Sequence, residues 1–129
     1  MWIIRNIAST VQEAFNSFPS LIITGPRQVG KTALLRNLFP NATYVSFDIP
    51  SEVEKAEINP LAFLDGHKEP IILDEIQYVP SLFRYLKIAI DKDRRSGRFL
   101  LTGSQVFPLM QGVSESLAGR CGVFELDSL

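Results

Sequence analysis

Residues 25–32 read GPRQVGKT and lie between the apolar segment LIIT at 21–24 and a second one that starts at 33. Gly25 and Gly30 permit backbone angles that a side chain forbids, so the loop can turn its N–H groups inward as an anion nest at a helix start. Lys31 supplies a positive charge for outer phosphate groups, and Thr32 supplies a hydroxyl for Mg²⁺. The pattern G-x-x-x-x-G-K-[ST], between a predicted strand and a predicted helix, therefore predicts a phosphate-binding loop.

We expect the nucleotide-binding residues to run from the first glycine into the following helix. They are Gly25, Pro26, Arg27, Gln28, Val29, Gly30, Lys31, Thr32 and Ala33. Arg27 and Gln28 occupy variable positions of the motif, and we expect their side chains to face solvent. Contact between Arg27 and a neighbouring group is the alternative.

An apolar strand that ends in two acids, IILDE at 71–75, is the second chemical feature. Asp74 can hold Mg²⁺ through water, together with Thr32. Glu75 can polarise a water molecule for attack on the terminal phosphate. Such activation would waste nucleotide in a small-molecule kinase, so the pair favours hydrolysis. On its own a strand-end Asp-Glu is typical of a turn or a helix cap, and the preceding loop changes that interpretation.

Polar residues also end the apolar strand RFLLTGS at 98–104. Gly-Ser is ordinary turn chemistry. Next to a phosphate site, however, Ser104 can sense the terminal phosphate or position the water, with Thr102 as second choice. Arg120 in SESLAGR precedes the last predicted strand, and an arginine at a terminal phosphate can accelerate turnover by ~10³–10⁵. Because the chain's own site has Lys31, we expect Arg120 to serve a neighbouring subunit; a surface arginine is the alternative.

Apolar strands alternate with helices along the whole chain. This pattern predicts an α/β fold with a mainly parallel sheet covered on both faces, and such sheets place ligands at the carboxyl ends of their strands. We predict helices at 3–17, 31–39, 80–91, 105–111 and 114–119, a helix capped by Ser51 and Glu54, a helix that starts at Asn59-Pro60, and strands at 21–24, 43–47, 70–74, 98–104 and 121–127.

The amino-acid composition limits the classes of protein to which the chain can belong. The 129 residues suit one domain, and 46% hydrophobic with 21% charged residues is typical of a globular core. A net charge of -1 argues against a dedicated nucleic-acid binder, and one cysteine with one histidine cannot form a zinc cluster. The sequence carries neither a signal-peptide pattern nor an apolar run of the roughly 18 residues of a membrane span. We therefore expect a cytoplasmic protein with no membrane segment.

Together, GPRQVGKT, IILDEIQYVPSLFRYLK, GRFLLTGSQVFPLM and SESLAGR resemble the AAA-type ATPase domain of a bacterial and archaeal family. The resemblance covers nearly all of the chain and implies a three-layer P-loop core with five parallel strands. It implies a Walker A motif at 25–32, Walker B acids at Asp74 and Glu75, sensor 1 near Ser104, and an arginine finger at Arg120. Family members usually continue into a helical lid and a C-terminal domain related to nuclease folds, so we expect residues 1–129 to be a fragment.

These features predict an ATPase core that binds ATP and Mg²⁺, with Lys31, Glu75, Ser104 and Arg120 in catalytic roles. Arg120 acting in trans predicts a homo-oligomer, and ATP turnover would remodel an unknown protein or nucleic-acid partner. A nucleotide-operated binding module without turnover is the first alternative. A phosphotransferase to a small acceptor is the second, and the acid pair argues against it.

Overall fold

Helices and strands alternate along the chain. The computed structural model describes residues 2–104 and 106–126, including the side chains other than those of residues 2–6, 106 and 107. The elements are α1 (Trp2–Phe15), β1 (Ser20–Thr24), α2 (Lys31–Leu38), β2 (Thr43–Ser46), α3 (Pro50–Ile58), α4 (Pro60–Asp65), β3 (Ile71–Asp74), a 3-10 helix (Ile76–Tyr78), α5 (Leu82–Lys92), β4 (Phe99–Gly103), α6 (Val106–Ser116) and β5 (Cys121–Glu125).

The strands form one five-stranded sheet in the order β2-β3-β4-β1-β5. All of the strand pairs are parallel, with β1 lying between β4 and β5. Every strand therefore ends at the same edge of the sheet, and the loop that follows β1 starts within that edge rather than at its flank. This arrangement confirms the predicted α/β fold with a parallel five-stranded sheet.

Side chains of the three central strands, β1, β3 and β4, alternate between two apolar cores, which is why these strands read as continuous hydrophobic runs. Ile71 and Leu73 of β3 pack with buried residues of α3 to α6. Ile72, between them, packs on the other face with residues of α1 and α2. The molecule thus has helices on both faces of the sheet, and the three-layer architecture is also confirmed.

The start of α3 differs from the prediction. The helix begins at Pro50 with Ile49 as its N-cap, and no side chain caps it. Ser51 therefore lies inside the helix, and the predicted capping box with Glu54 is wrong. Proline has a backbone φ that suits the first helical position, so it starts the helix before the serine can act as a cap. The predicted cap at Asn59 is confirmed, because its side chain accepts a hydrogen bond from the N–H of Ala62.

The two short helices predicted at 105–111 and 114–119 form one helix, α6, from Val106 to Ser116. Pro108 does not interrupt it because proline is tolerated in the first turn, where N–H groups have no intrahelical partner. Gly112 lies where a Cβ atom would come within 2.7 Å of Phe83, so the glycine allows α6 to approach α5 closely. The predicted positions Gln105 and Asp127 lie outside the described residues.

Candidate functional site

The loop 25–30 joins the carboxyl end of β1 to the amino end of α2 and contains three residues with positive φ. Gly25 has φ 148°, Gln28 has φ 68° and Gly30 has φ 94°. A Cβ atom at Gly25 would overlap the carbonyl oxygen of Leu126, so this position requires glycine for space as well as for conformation. A loop of this shape at a helix start presents backbone N–H groups to an anion.

The Lys31 side chain folds back across this loop. Its ammonium nitrogen lies 2.8 Å from the carbonyl oxygen of Gly25 and 2.7 Å from that of Pro26. The residue is only 4% exposed. Burial lowers the pKa of Lys31, while the carboxylates of Glu75 and Asp74 act in the opposite direction. The site therefore contains a buried positive charge enclosed by the loop and facing two acids.

Asp74 ends β3 and is surrounded by hydroxyl groups. Its Oδ1 accepts hydrogen bonds from Thr32 and Thr102, each at 2.6 Å. Its Oδ2 accepts from Tyr44 at 2.8 Å and from Ser46 at 3.4 Å. Burial, followed by this contact with Asp74, raises the pKa of Tyr44. The hydroxyl of Thr32 and the carboxylate of Asp74 are thus brought together as the sequence predicts.

These two oxygen groups fit Mg²⁺, which prefers hard oxygen ligands and is usually held by one or two protein groups together with substrate phosphates and water. Within the described ranges there is no group of three or more His, Cys, Asp or Glu residues that could hold a metal by itself. A metal at Thr32 and Asp74 would therefore depend on ligands from the nucleotide.

Glu75 is buried and has a left-handed backbone conformation, with φ 59° and ψ 52°. Such a conformation is uncommon for residues other than glycine and is often found at functional sites. The Oε1 atom of Glu75 accepts hydrogen bonds from Ser104 at 2.6 Å and from Gln77 at 2.6 Å. Ser104, the first choice for the polar residue at the end of this strand, directly follows β4 and thus lies against the second acid.

Two further residues make contacts with the acids that the sequence did not predict. Thr102 is fully buried; its hydroxyl donates to Asp74 and accepts from the N–H of Glu75 at 3.0 Å, so it fixes both acids instead of pointing into the site. Gln77 donates to Glu75 and also to Ser104, at 3.3 Å. The sequence signal for Gln77 is a polar residue two positions after Glu75, between the apolar residue Ile76 and Tyr78.

The side chain of Arg27 is 51% exposed, as expected, and its guanidinium also contacts neighbouring groups, which is the alternative stated above. It donates to Asp48 at 3.2 and 3.5 Å and to the hydroxyl of Tyr78 at 2.8 Å. The same group lies 3.9 Å from Oε1 of Glu75. Arg27 therefore connects the loop to the residue that follows β2 and to the segment that follows β3.

Arg120 lies at the opposite end of the sheet. Its carbonyl oxygen accepts a hydrogen bond from the N–H of Ser20, the first residue of β1, whereas the loop follows the last residue of β1. The guanidinium pairs with Asp91 at 2.7 and 3.1 Å. The structure thus does not bring Arg120 to the loop of its own chain, and its action on a neighbouring subunit stays a prediction.

The fold and the loop define a P-loop nucleotide-binding core. A family model described as an AAA domain matches residues 17–129, and the chain belongs to this family. Two curated relatives are uncharacterized proteins of Mycobacterium bovis and Mycobacterium tuberculosis, each 36% identical over 126 residues. The match covers 97% of this chain but only 29% of each relative.

Solved structures share the fold at low sequence identity. A Walker-type ATPase of Pyrococcus abyssi superimposes with a TM-score of 0.65 at 16% identity, over 95% of this chain and 52% of that chain. The Pif1 helicase of Candida albicans superimposes with a TM-score of 0.52 at 13% identity, over 98% of this chain and 39% of that chain. Separately, none of the helices in the described part of the chain is long and apolar enough to cross a membrane.

Proposed function

We propose that this chain binds Mg²⁺ and ATP through the loop 25–30 and the residues that adjoin it. The observation that carries the proposal is the 2.6 Å contact between Thr32 and Asp74, together with the burial of Lys31, the residue before Thr32. Lys31 would exchange the carbonyl oxygens of the loop for phosphate oxygens, and Thr32 with Asp74 would hold the metal. When bound, Mg²⁺ would neutralise negative charge on the phosphates.

We also propose that the bound ATP is hydrolysed. Glu75 would accept a proton from water as the water oxygen bonds to the terminal phosphorus, and the bond to the leaving ADP oxygen would break. Because Ser104 and Gln77 hold Oε1 of Glu75, we assign proton acceptance to its Oε2 atom. Preorganised hydrogen bonds of this kind keep a general base in position without reorganisation during the reaction.

Arg120 completes the proposed mechanism from a neighbouring subunit. Since its own loop lies at the other end of the sheet, the arginine could reach a terminal phosphate only in an assembly of chains. Its pairing with the exposed Asp91 is compatible with exchange for another anion. The proposal of a homo-oligomer rests on this placement of Arg120. The proposal of a cytoplasmic location rests on the sequence.

What ATP turnover drives is a separate proposal, because the chain spans less than a third of the curated relatives it matches, 29% of each. We propose remodelling of a protein or nucleic-acid partner. The residues described here carry the nucleotide chemistry, and recognition of that partner would lie with other surfaces.

Phosphate release from Mg-ATP tests the proposed hydrolysis. We expect E75Q to bind ATP and to lose about 10²–10⁴-fold in turnover, the usual contribution of a general base. E54Q is the matched control, since Glu54 is exposed on α3 far along the chain from the acid pair, and it should retain full turnover.

Four results would redirect the assignment. Normal phosphate release by E75Q would remove Glu75 from the mechanism. ATP binding without phosphate release by the unmodified chain would indicate a nucleotide-operated binding module. Turnover that requires an added small acceptor would indicate a phosphotransferase. Turnover by R120A that equals the unmodified chain at saturating ATP would remove the arginine.

A further inference from the structure

Arg27 is held in a cluster at the mouth of the site. Its guanidinium contacts Asp48, which follows β2, and Tyr78, which ends the 3-10 helix after β3. All three side chains are partly open to solvent, with Arg27 and Asp48 51% and 46% exposed. An ion pair this exposed contributes little to stability, so fold stabilisation does not explain the cluster.

The position of the cluster suggests a role in ligand recognition. The Arg27 guanidinium lies 3.9 Å from Oε1 of Glu75, a residue that is only 5% exposed. Under the proposed function, Glu75 activates water at the terminal phosphate, so a group within 4 Å of it lies at the terminal end of the phosphate chain. Lys31, in contrast, is enclosed by the loop itself.

We propose that Arg27 recognises the terminal phosphate of a nucleoside triphosphate bound to its own chain, and thereby distinguishes triphosphate from diphosphate. Asp48 and Tyr78 hold the guanidinium beside the site, and on binding it exchanges these partners for phosphate oxygens. A guanidinium suits this task because its planar fork matches phosphate geometry and keeps its charge at any physiological pH. The proposal rests on the proposed function, since it requires the loop to bind nucleotide.

The test is the affinity for two probes, ADP and the non-hydrolysable β,γ-imido analogue of ATP, each with Mg²⁺, measured by competition with a fluorescent nucleotide. We expect R27A to lower the affinity for the analogue about 10-fold to 100-fold, the effect of losing a charge-assisted hydrogen bond. Its affinity for ADP should stay within about 2-fold. R84A is the matched control, because Arg84 is exposed on α5, and it should change neither affinity.

D48N separates phosphate recognition from a structural role. It removes the Arg27–Asp48 ion pair and keeps the arginine, so the preference for the analogue should persist. If D48N lost affinity for the analogue alone, by as much as R27A does, the effect would belong to the ion pair and the proposal would be overturned. Equal losses of affinity for the two probes in R27A, or no loss of affinity for either, would also overturn the proposal.

K31A distinguishes failure of this inference from failure of the proposed function. K31A should lower the affinity for both probes, because the loop encloses the Lys31 ammonium. If K31A loses affinity for both probes while R27A binds both as the unmodified chain does, only the proposed role of Arg27 is wrong. If K31A binds both probes normally, the loop is not the nucleotide site.

Discussion

Replacing Thr102 with valine tests how far the two acids of the site depend on strand β4. The Thr102 side chain is fully buried, and valine has nearly the same shape but no hydroxyl. The change removes a 2.6 Å hydrogen bond to Asp74 and a 3.0 Å hydrogen bond from the N–H of Glu75. After the substitution, Asp74 keeps the hydroxyl of Thr32, whereas the N–H of Glu75 loses the partner that holds its unusual conformation.

The expected loss follows from these contacts. A buried donor without a partner costs about 1–3 kcal/mol, and a hydrogen bond to a charged group contributes about 1.5–3 kcal/mol. Because the two contacts share one hydroxyl, their effects are not additive, and we expect T102V to lower the free energy of unfolding by about 2–4 kcal/mol. This is a large part of the roughly 5–15 kcal/mol of a typical domain.

Urea unfolding followed by circular dichroism measures this loss. T24V is the matched control. Thr24 of β1 is 1% exposed, and its hydroxyl donates a long hydrogen bond, at 3.4 Å, to the carbonyl oxygen of Phe124. T24V should cost at most about 1 kcal/mol. A loss in T102V no greater than that in T24V would refute the reasoning that Thr102 anchors the acid pair.

Three further predictions concern the loop, the second acid and the cysteine. G25A should lower thermal stability more than G30A. Both glycines have positive φ, but of the two only Gly25 lies where a Cβ atom would overlap a backbone carbonyl oxygen. Equal losses of thermal stability in the two variants would contradict this. Q77A should reduce phosphate release about 10-fold at unchanged ATP affinity, because Gln77 holds Glu75 and lies outside the loop. A matching loss of ATP affinity would contradict a role confined to Glu75. Desolvation raises the pKa of the half-buried Cys121 thiol to about 11. At pH 8 the thiol should therefore react with a disulfide reagent about 100-fold more slowly in the folded chain than in denaturant, and similar rates would contradict the raised pKa.

The parts of the site that the sequence predicts are those set by strand ends. In a parallel sheet every strand ends at the same edge, so the apolar runs before Gly25, Asp74 and Ser104 are enough to place these residues near one another. The structure brings Thr32 to Asp74 and Ser104 to Glu75 for this reason.

Contacts between connecting segments could not be predicted in this way. Arg27, Asp48 and Tyr78 lie in three separate segments, and their pairing depends on how far each side chain extends from its strand. Hydrophobic periodicity carries no information about such distances. Likewise, a pattern-based reading of Thr102 as a residue that points into the site missed that its hydroxyl points at both acids.

Local helix signals were misread where two of them competed. Ser51 has the right chemistry for a cap, but the proline before it occupies the first helical position. Pro108 and Gly112 resemble helix breaks, yet one lies in the first turn of α6 and the other at a close contact with Phe83. In each case the neighbouring structure decides which local preference prevails.

Calorimetric titration of the 129-residue chain with Mg-ATP, with K31A beside it, tests the central claim most directly. We predict one binding site per chain in the unmodified protein and an affinity at least about 100-fold lower in K31A, since that variant removes the buried charge of the loop. A folded unmodified chain that gives no binding heat at several temperatures, or a K31A variant that binds as tightly, would contradict nucleotide binding at this loop.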